Sequence, residues 1–394
     1  MSILELSKLT LPRRPSRGHG LWRIIPAYLC TMLSLWTITS LTGLILAQRG
    51  VAPATIGLFA AVPWLAVLVT TPLLPRLIHR WGLLHTFYFG LGLALLAIGG
   101  FVTTQTLSLW FVWNFLLGLA LGIHWLAADS WVNTAAPPAK RGEIVGLYEG
   151  MSSVLIGGGP LIVATLGSRG WHSFAVDAAL LGCAFLPLLG TTAPILSTSE
   201  RGATGTLLSF VHHAPVMLLT AFLGGFVETA GIGLFPVYGL ALGLPSAEAA
   251  LLVTALALGN ILTQYPIGYL ADRIALRWVL LASVVVVMLD PLLWMVADPT
   301  GLWMWLVIFL WGGAVGGLYT LAAIQAGSEF SGSQLVQAFA AVTTTYTLGS
   351  ILGPVLGGAA LSLWSPHGLP IMLAVLTALV LGVLSYTSRQ IPAS

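Results

Sequence analysis

The sequence predicts an all-α polytopic membrane protein, with twelve transmembrane helices arranged as two pseudo-symmetric six-helix bundles. Three observations lead there. The 394-residue chain is 57% hydrophobic and 7% charged, with a mean hydropathy of +0.96. A water-soluble domain of that size and balance would have an apolar surface. Its apolar runs last roughly 20 residues, the length of a bilayer-spanning helix, where a barrel strand needs ~10 alternating residues. A spanning segment must satisfy its own backbone hydrogen bonds, so helices of this length are the solution open to it. Finally, landmarks in the two halves of the chain recur at a nearly constant offset.

Residues 1–21 form a basic leader that runs into a long apolar span, unlike a cleaved secretory signal, and it is expected to be retained on the first helix. Apolar helices are expected at 22–47, 54–76, 84–104, 107–134, 143–167 and 174–197, which together form the first bundle over 22–197. A polar linker over 198–211, carrying Glu200 and Arg201, is too short for a domain. The second bundle, 212–388, holds spans at 212–239, 247–271, 278–297, 301–327, 334–361 and 368–388, and a tail of 389–394 follows.

An even number of spans puts both termini on one face. That face collects thirteen of the fifteen Lys and Arg residues, leaving Arg49 and Arg169 opposite. By the positive-inside rule both termini are cytoplasmic, in a bacterial inner (plasma) membrane. The net charge of +3 and pI near 9.0 are then a topology signal, not a nucleic-acid surface. Cys30 and Cys183 each fall inside a span, where they are expected to behave as small buried apolar residues. They imply no disulfide framework, and neither a metal site nor a cofactor is expected.

The repeat is carried by three landmarks. His79-Arg80-Trp81-Gly82 and the Asp272-Arg273 turn lie 193 positions apart, counted from Arg80 to Arg273. Gly118-Leu-Ala-Leu-Gly-Ile-His-Trp-Leu-Ala-Ala128 aligns with Gly313-Ala-Val-Gly-Gly-Leu-Tyr-Thr-Leu-Ala-Ala323 at 195. Gly159-Pro160 aligns with Gly353-Pro354 at 194. Two six-helix repeats of the same orientation are related by an axis along the membrane normal, as in many secondary transporters.

With these residues in view, the chain resembles the major facilitator superfamily of transporters. Leu270-Ala-Asp-Arg-Ile-Ala-Leu-Arg277 resembles that superfamily's loop 2–3 signature in its second-half copy. Asp129-Ser-Trp-Val-Asn133 followed by Arg141-Gly142 and Tyr148, together with Gln264-Tyr-Pro-Ile-Gly268, Leu318-Tyr319 and Leu348-Gly-Ser-Ile-Leu-Gly-Pro354, resembles its YcaD-like branch. The likeness runs over all twelve spans. Departures accompany it. The first-half loop signature has His79 for the usual Asp and Pro75 for the usual leading Gly. Asn114 stands where many relatives place an arginine four residues before a glycine, here Gly118. The glycine-proline motif of helix 5 is reduced to Gly159-Pro160, while the fuller Gly349-x3-Gly353-Pro354-x2-Gly357-Gly358 sits in helix 11. That weakens an antiporter reading built on the helix 5 motif.

No Lys or Arg lies deep inside a span, which argues against an anionic solute, since a buried anion needs a charged partner. Glu228 in helix 7 is the outstanding intramembrane acid. It lies 16 residues from His212, in the central-to-outer part of the bilayer. A carboxylate there costs about 2.5–3.5 kcal/mol on insertion scales. It either makes a structural interhelical hydrogen bond or holds the coupling proton or a cationic group of the solute. On helix 4, Asn114, Gly118, Leu121, Trp125 and Asp129 stay within about 80° of one face at helical periodicity. The resemblance implies that helices 4 and 7 line a central cavity, which makes Asn114 and Trp125 contact candidates beside interhelical bonding. Helix 1 is rich in hydroxyls, Ser34 among them; helix 8 adds Asn260 and Gln264, and helix 10 adds Tyr319, Thr320 and Gln325. Such groups suit a neutral polyol or an amphipathic molecule, or serve as ordinary helix–helix glue.

Asp272, Arg273, Arg277 and Arg80 mark the turns at the N-terminal face, and the resemblance implies a latch there that holds the halves together in one conformation and releases in the other. Asp129, Arg141 and Glu149, with Glu143, form either an inner gate network or a permanent cluster. Three weaker signals are set aside: span-end tryptophans such as Trp22, Trp110 and Trp303 read as interfacial anchors, Asp290 before Pro291 as a polar contact at a kink, and His213-x3-Met217 as a lone pair unsuited to copper.

The expected function is secondary active transport of a small neutral or cationic organic solute by alternating access, coupled to protons. The expected molecule is a monomer whose partners are that solute, the proton and the lipid bilayer. Alternatives are a multidrug or metabolite exporter and, in another class, a non-transporting receptor or scaffold on the same fold. An enzyme is disfavoured because the eight histidines are scattered and no nucleophile–base constellation appears, and no nucleotide-binding loop supports ATP-driven pumping.

Overall fold

The computed structural model describes residues 21–135, 141–168, 171–190, 210–211, 213–330 and 332–388, with side chains from Arg23 onward except at 129–130, 133–135, 141–150, 153, 332–333, 336 and 385–388. The expected leader, most of the linker and the tail lie outside the described residues. Among those described, twelve long helices occur in order: α1 (Leu21–Gln48), α2 (Pro53–Trp81), α3 (Leu83–Thr103), α4 (Leu107–Ala135), α5 (Arg141–Leu166), α6 (His172–Phe185), α7 (Pro215–Ala241), α8 (Ser246–Ala271), α9 (Leu276–Trp294), α10 (Leu302–Glu329), α11 (Gly332–Leu363) and α12 (Gly368–Ser388). Nine of them are long and apolar enough to cross a membrane, and α5, α6 and α12 carry shorter apolar stretches within the described residues. The protein is a multi-pass membrane protein.

Helix ends follow local chemistry. Pro53 and Pro215 open α2 and α7, where a missing backbone N–H costs nothing. Gly82 separates α2 from α3 with φ +79°, a left-handed conformation that a side chain resists. One boundary departs from expectation. Regular α geometry in α6 stops at Phe185 and tightens into a 3₁₀ turn at Leu186–Leu188, and residues 191–197 of the expected span lie outside the described residues. Pro187 sits in that turn, where its ring and missing N–H disfavour a continuing α-helix.

The two halves are built alike. In the first, α1 packs on α4, α5 and α6, while α2 and α3 pack on α4; in the second, α7 packs on α10, α11 and α12, while α8 and α9 pack on α10. Helices α7, α8 and α10 start 194, 193 and 195 residues after α1, α2 and α4, which matches the sequence repeat. The repeated glycines occupy equivalent contacts. A Cβ on Gly118 would strike Pro63 of α2, and one on Gly313 would strike Thr263 of α8. Likewise Gly159 meets Trp36 and Thr37 of α1, and Gly353 meets Phe226 of α7. In a lipid environment, helices associate largely through such close backbone approach, because apolar side chains gain little by leaving lipid for protein.

The halves meet along α2 against α11 and α5 against α8, with α1 and α2 also touching α7. Their tightest contacts lie toward the face opposite the N-terminus, here the far face. Gly57 of α2 is pressed against the Pro354 carbonyl and Gly358 of α11, and Gly358 against Pro53. Gly157 of α5 packs on Ala257 of α8 and accepts a hydrogen bond from the Thr254 hydroxyl through its carbonyl (2.9 Å). Gln48 Nε2 donates to Ser246 Oγ (2.7 Å), and the Ala54 amide donates to Ser362 Oγ (2.7 Å). The molecule is thus sealed at the far face.

Candidate functional site

Glu228 sits 13 residues from either end of α7, at the middle of that helix. It is buried, at 7% exposure. Both carboxyl oxygens are engaged. Asn260 Nδ2 of α8 donates to Oε1 at 3.1 Å, and the Tyr346 hydroxyl of α11 donates to Oε2 at 2.7 Å. The cluster continues to Gln264, whose Nε2 donates to Asn260 Oδ1 at 2.8 Å.

Glycines set this geometry. A Cβ on Gly225 of α7 would run into the Tyr346 carbonyl, and one on Gly349 into the Phe222 carbonyl, so α7 and α11 approach closely enough for the phenol to reach the acid. Gly316 of α10 faces the Asn260 amide at a point where any side chain would collide with it. The α11 glycine motif therefore builds the site in the second bundle and the seal against the first.

Glu228 opens onto a cavity of about 130 Å³ between the two halves. The first bundle supplies Tyr28, Met32 and Trp36 from α1, Trp64 from α2, Leu121 and Trp125 from α4, and Ser152 and Ile156 from α5. The second supplies Glu228, Ile232 and Tyr346. Trp64 stands edge-to-face with Trp125 of its own bundle (centroids 6.3 Å) and with Tyr346 of the other (6.2 Å), so the aromatic wall crosses the interface. Tyr319 backs Tyr346 at 5.3 Å. Among the described residues, the lining contains one acid and no Lys, Arg or His.

Of the residues singled out from sequence, Glu228 and Trp125 line this cavity, Asn260 and Gln264 hold the acid from behind, and Tyr319 supports Tyr346. Others are placed elsewhere. Asn114 Nδ2 donates to the Phe59 carbonyl of α2 at 2.6 Å and borders a separate small void. Ser34 donates to the Asp177 carbonyl of α6 at 3.3 Å. Gln325 donates to Glu329, and Thr320 turns back to the Gly316 carbonyl. Of the hydroxyls on α1, Tyr28 reaches the cavity beside Ser152, while Thr31, Thr37, Thr39 and Thr42 each donate to the carbonyl four residues earlier. In an apolar solvent that is the nearest acceptor a helical threonine has.

At the N-terminal face, Asp272, Arg273, Arg277 and Arg80 are exposed. Arg273 lies over the Tyr269 ring (4.1 Å) and Arg277 over Trp278 (5.3 Å); among the described residues Asp272 pairs with no arginine. The side chains of Asp129, Arg141 and Glu149 lie outside the described residues. Trp110 is not an interfacial anchor but buried, at 1% exposure, with its indole donating to the Thr104 carbonyl; Trp303 is exposed. Asp290 accepts from Trp294 Nε1 at 2.7 Å, the polar contact expected of it. Cys183, expected to be buried, is exposed on its helix.

The sequence reading missed Tyr346 and the walls at Trp36 and Trp64. Tyr346 had a usable signal, since Gly349, Ser350 and Gly353 follow it at i+3, i+4 and i+7 and share its helix face. Trp36 and Trp64 had none beyond their mid-span positions.

A sequence profile described as Major Facilitator Superfamily matches residues 24–247 and, a second time, 217–393. The MFS-type transporter YfkF of Bacillus subtilis is 27% identical over 322 residues, covering 80% of this chain and 82% of that protein. The MFS-type transporter YcaD of Escherichia fergusonii is 26% identical over 376 residues, covering 93% and 95%. Among solved structures, the nucleoside transporter NupG superposes with a TM-score of 0.77 at 14% identity, covering 94% of this chain and 98% of that one. A bacterial homologue of the human lysosomal transporter Spinster, in an inward-facing and occupied conformation, gives 0.70 at 16%, covering 97% and 100%. At such identities the structural likeness speaks for the fold alone.

Proposed function

The chain belongs to the major facilitator superfamily, a family of transporters and not of enzymes, and we propose that it moves a small neutral or cationic organic solute by alternating access, coupled to protons through Glu228. The observation that carries this reading is an ionisable side chain at the middle of a spanning helix, lining a cavity whose walls come from both bundles. A carboxyl in such a place is costly to keep and is ordinarily functional. Here it can accept two donors when ionised, and it can exchange a proton with whatever enters the cavity. The seal at the far face supports reading this conformation as the one open toward the N-terminal face, and Asp272, which pairs with no arginine among the described residues, fits a released latch. The excess of basic residues on that face supports cytoplasmic termini, and the reading is of a monomer in a bacterial inner membrane.

Proton flux tests the coupling. The purified chain is reconstituted in liposomes that trap a pH-sensitive dye, and a library of small neutral and cationic solutes is added outside. A solute of the right class should change luminal pH in the wild type and leave it unchanged with Glu228→Gln. A Glu228→Gln protein that moves protons with the solute as well as the wild type would refute the coupling role.

A further inference from the structure

The chemistry of the cavity wall narrows the solute. Among the described residues its one charged group is Glu228; the same wall carries the rings of Trp36, Trp64 and Trp125, and Tyr346 is bonded to the acid. The face of an aromatic ring is electron-rich, so rings and carboxylate together attract a cation. An anion would meet a carboxylate with no counter-charge among the described residues of the lining. A polyol would need many hydroxyl partners; the described lining offers Tyr28 and Ser152, bonded to each other, and Tyr346, bonded to Glu228, while the α1 threonines are tied to their own backbone.

Size supplies a second bound. The cavity, at about 130 Å³, is close to the ~150 Å³ engineered cavity that holds a benzene molecule. Drug-sized ligands occupy pockets of roughly 300–1,000 Å³. The hydrogen bonds at Glu228 add a third constraint. Each carboxyl oxygen already takes one donor, from Asn260 and from Tyr346. A cation that attracts through charge alone can approach without displacing either.

We propose that the cavity binds a small organic ammonium ion, a quaternary or protonated amine of about benzene's bulk, with its charged centre between Glu228 and the rings of Trp64 and Trp125. The inference rests on the transporter reading above and specifies its solute.

The test uses pairs of probes that match in shape and differ in charge: choline with 3,3-dimethylbutan-1-ol, and benzylamine with benzyl alcohol. Dissociation constants are measured by calorimetry on the full chain in lipid nanodiscs. The charged member of at least one pair should bind about tenfold tighter or more than its neutral twin, and Glu228→Gln should bring that pair to parity. Trp125→Leu should weaken the cation severalfold, with Trp125→Phe restoring most of the loss. Unliganded melting temperatures establish that each variant is folded, and the tryptophan series stands on its own should Glu228→Gln not fold. Neutral twins that bind as well as the cations, or no binding by any of the four probes, would overturn the proposal. Such a failure is separable from failure of the transporter reading, which is judged by whether the two ends of the molecule open in alternation, without any solute.

Discussion

Replacing Gly57 with alanine should open the far face. In this structure a Cβ at Gly57 would overlap the Pro354 carbonyl and the Gly358 Cα, both backbone atoms on the opposite bundle that cannot swing aside. The alternative conformation of an alternating-access protein parts α2 from α11 at this point, so the added methyl costs nothing there. Forcing a methyl into a packed contact costs typically about 1–3 kcal/mol. Because that cost falls on one state alone, the equilibrium should move away from the far-face-closed form by about 5- to 150-fold. Spin labels on Thr106 of the first bundle and Val296 of the second, both exposed and placed at the far end, report the separation after Cys30 and Cys183 are replaced by alanine. Gly57→Ala should shift the distance distribution toward a longer-distance population. Gly92→Ala makes the same chemical change where a Cβ meets nothing within 4 Å, and should leave the distribution as in the wild type. Identical distributions for Gly57→Ala and wild type would refute the view that this glycine contact is the far-face seal.

Three further substitutions separate site from scaffold. Tyr346→Phe removes one of two donors to Glu228, and a hydrogen bond to a charged group is worth about 1.5–3 kcal/mol, so solute-driven proton flux should fall by at least about tenfold, beyond any fall in the amount of folded protein. Asn114→Ala strips the donor to the Phe59 carbonyl, a buried contact away from the cavity; the melting temperature should drop, with solute affinity unchanged in calorimetry. Asp272→Asn should alter the balance between the two conformations in the same label experiment without altering solute affinity; loss of affinity with normal conformational sampling would contradict a latch.

Much of the fold was legible in advance because a bilayer imposes it. Span lengths, the polar break after the sixth span and the offset of about 194 between Gly159 and Gly353 are properties of the chain that packing cannot revise. Apolarity alone carries helix 6 too far, because it cannot see that Pro187 tightens the chain into a 3₁₀ turn. The acid at the heart of the site was legible, since a Glu in mid-span has few explanations. Its setting was not. Ser34 and Asn114 read as polar groups on plausible faces, but a hydroxyl or amide in a helix finds a carbonyl of its own or a neighbouring helix first. Conversely, Trp36 and Trp64 are apolar in any hydropathy sum, and only the meeting of the two bundles turns them into a wall. The halves are also unequal where it counts. Ser34 holds in α1 the place that Glu228 holds in α7, 194 residues on, so a symmetric scaffold presents aromatic rings from one side and a carboxyl from the other.

The most direct measurement needs no solute. Label pairs at both faces, Thr106 with Val296 at the far face and Arg80 with Arg273 at the N-terminal face, are read by pulsed spin-resonance distances in nanodiscs at acidic and neutral pH. Alternating access predicts two populations whose openings are reciprocal, one face closing as the other opens, with a balance that shifts with pH in the wild type and no longer shifts in Glu228→Gln. A single population at both faces under every condition, or two faces that open together, would contradict the account.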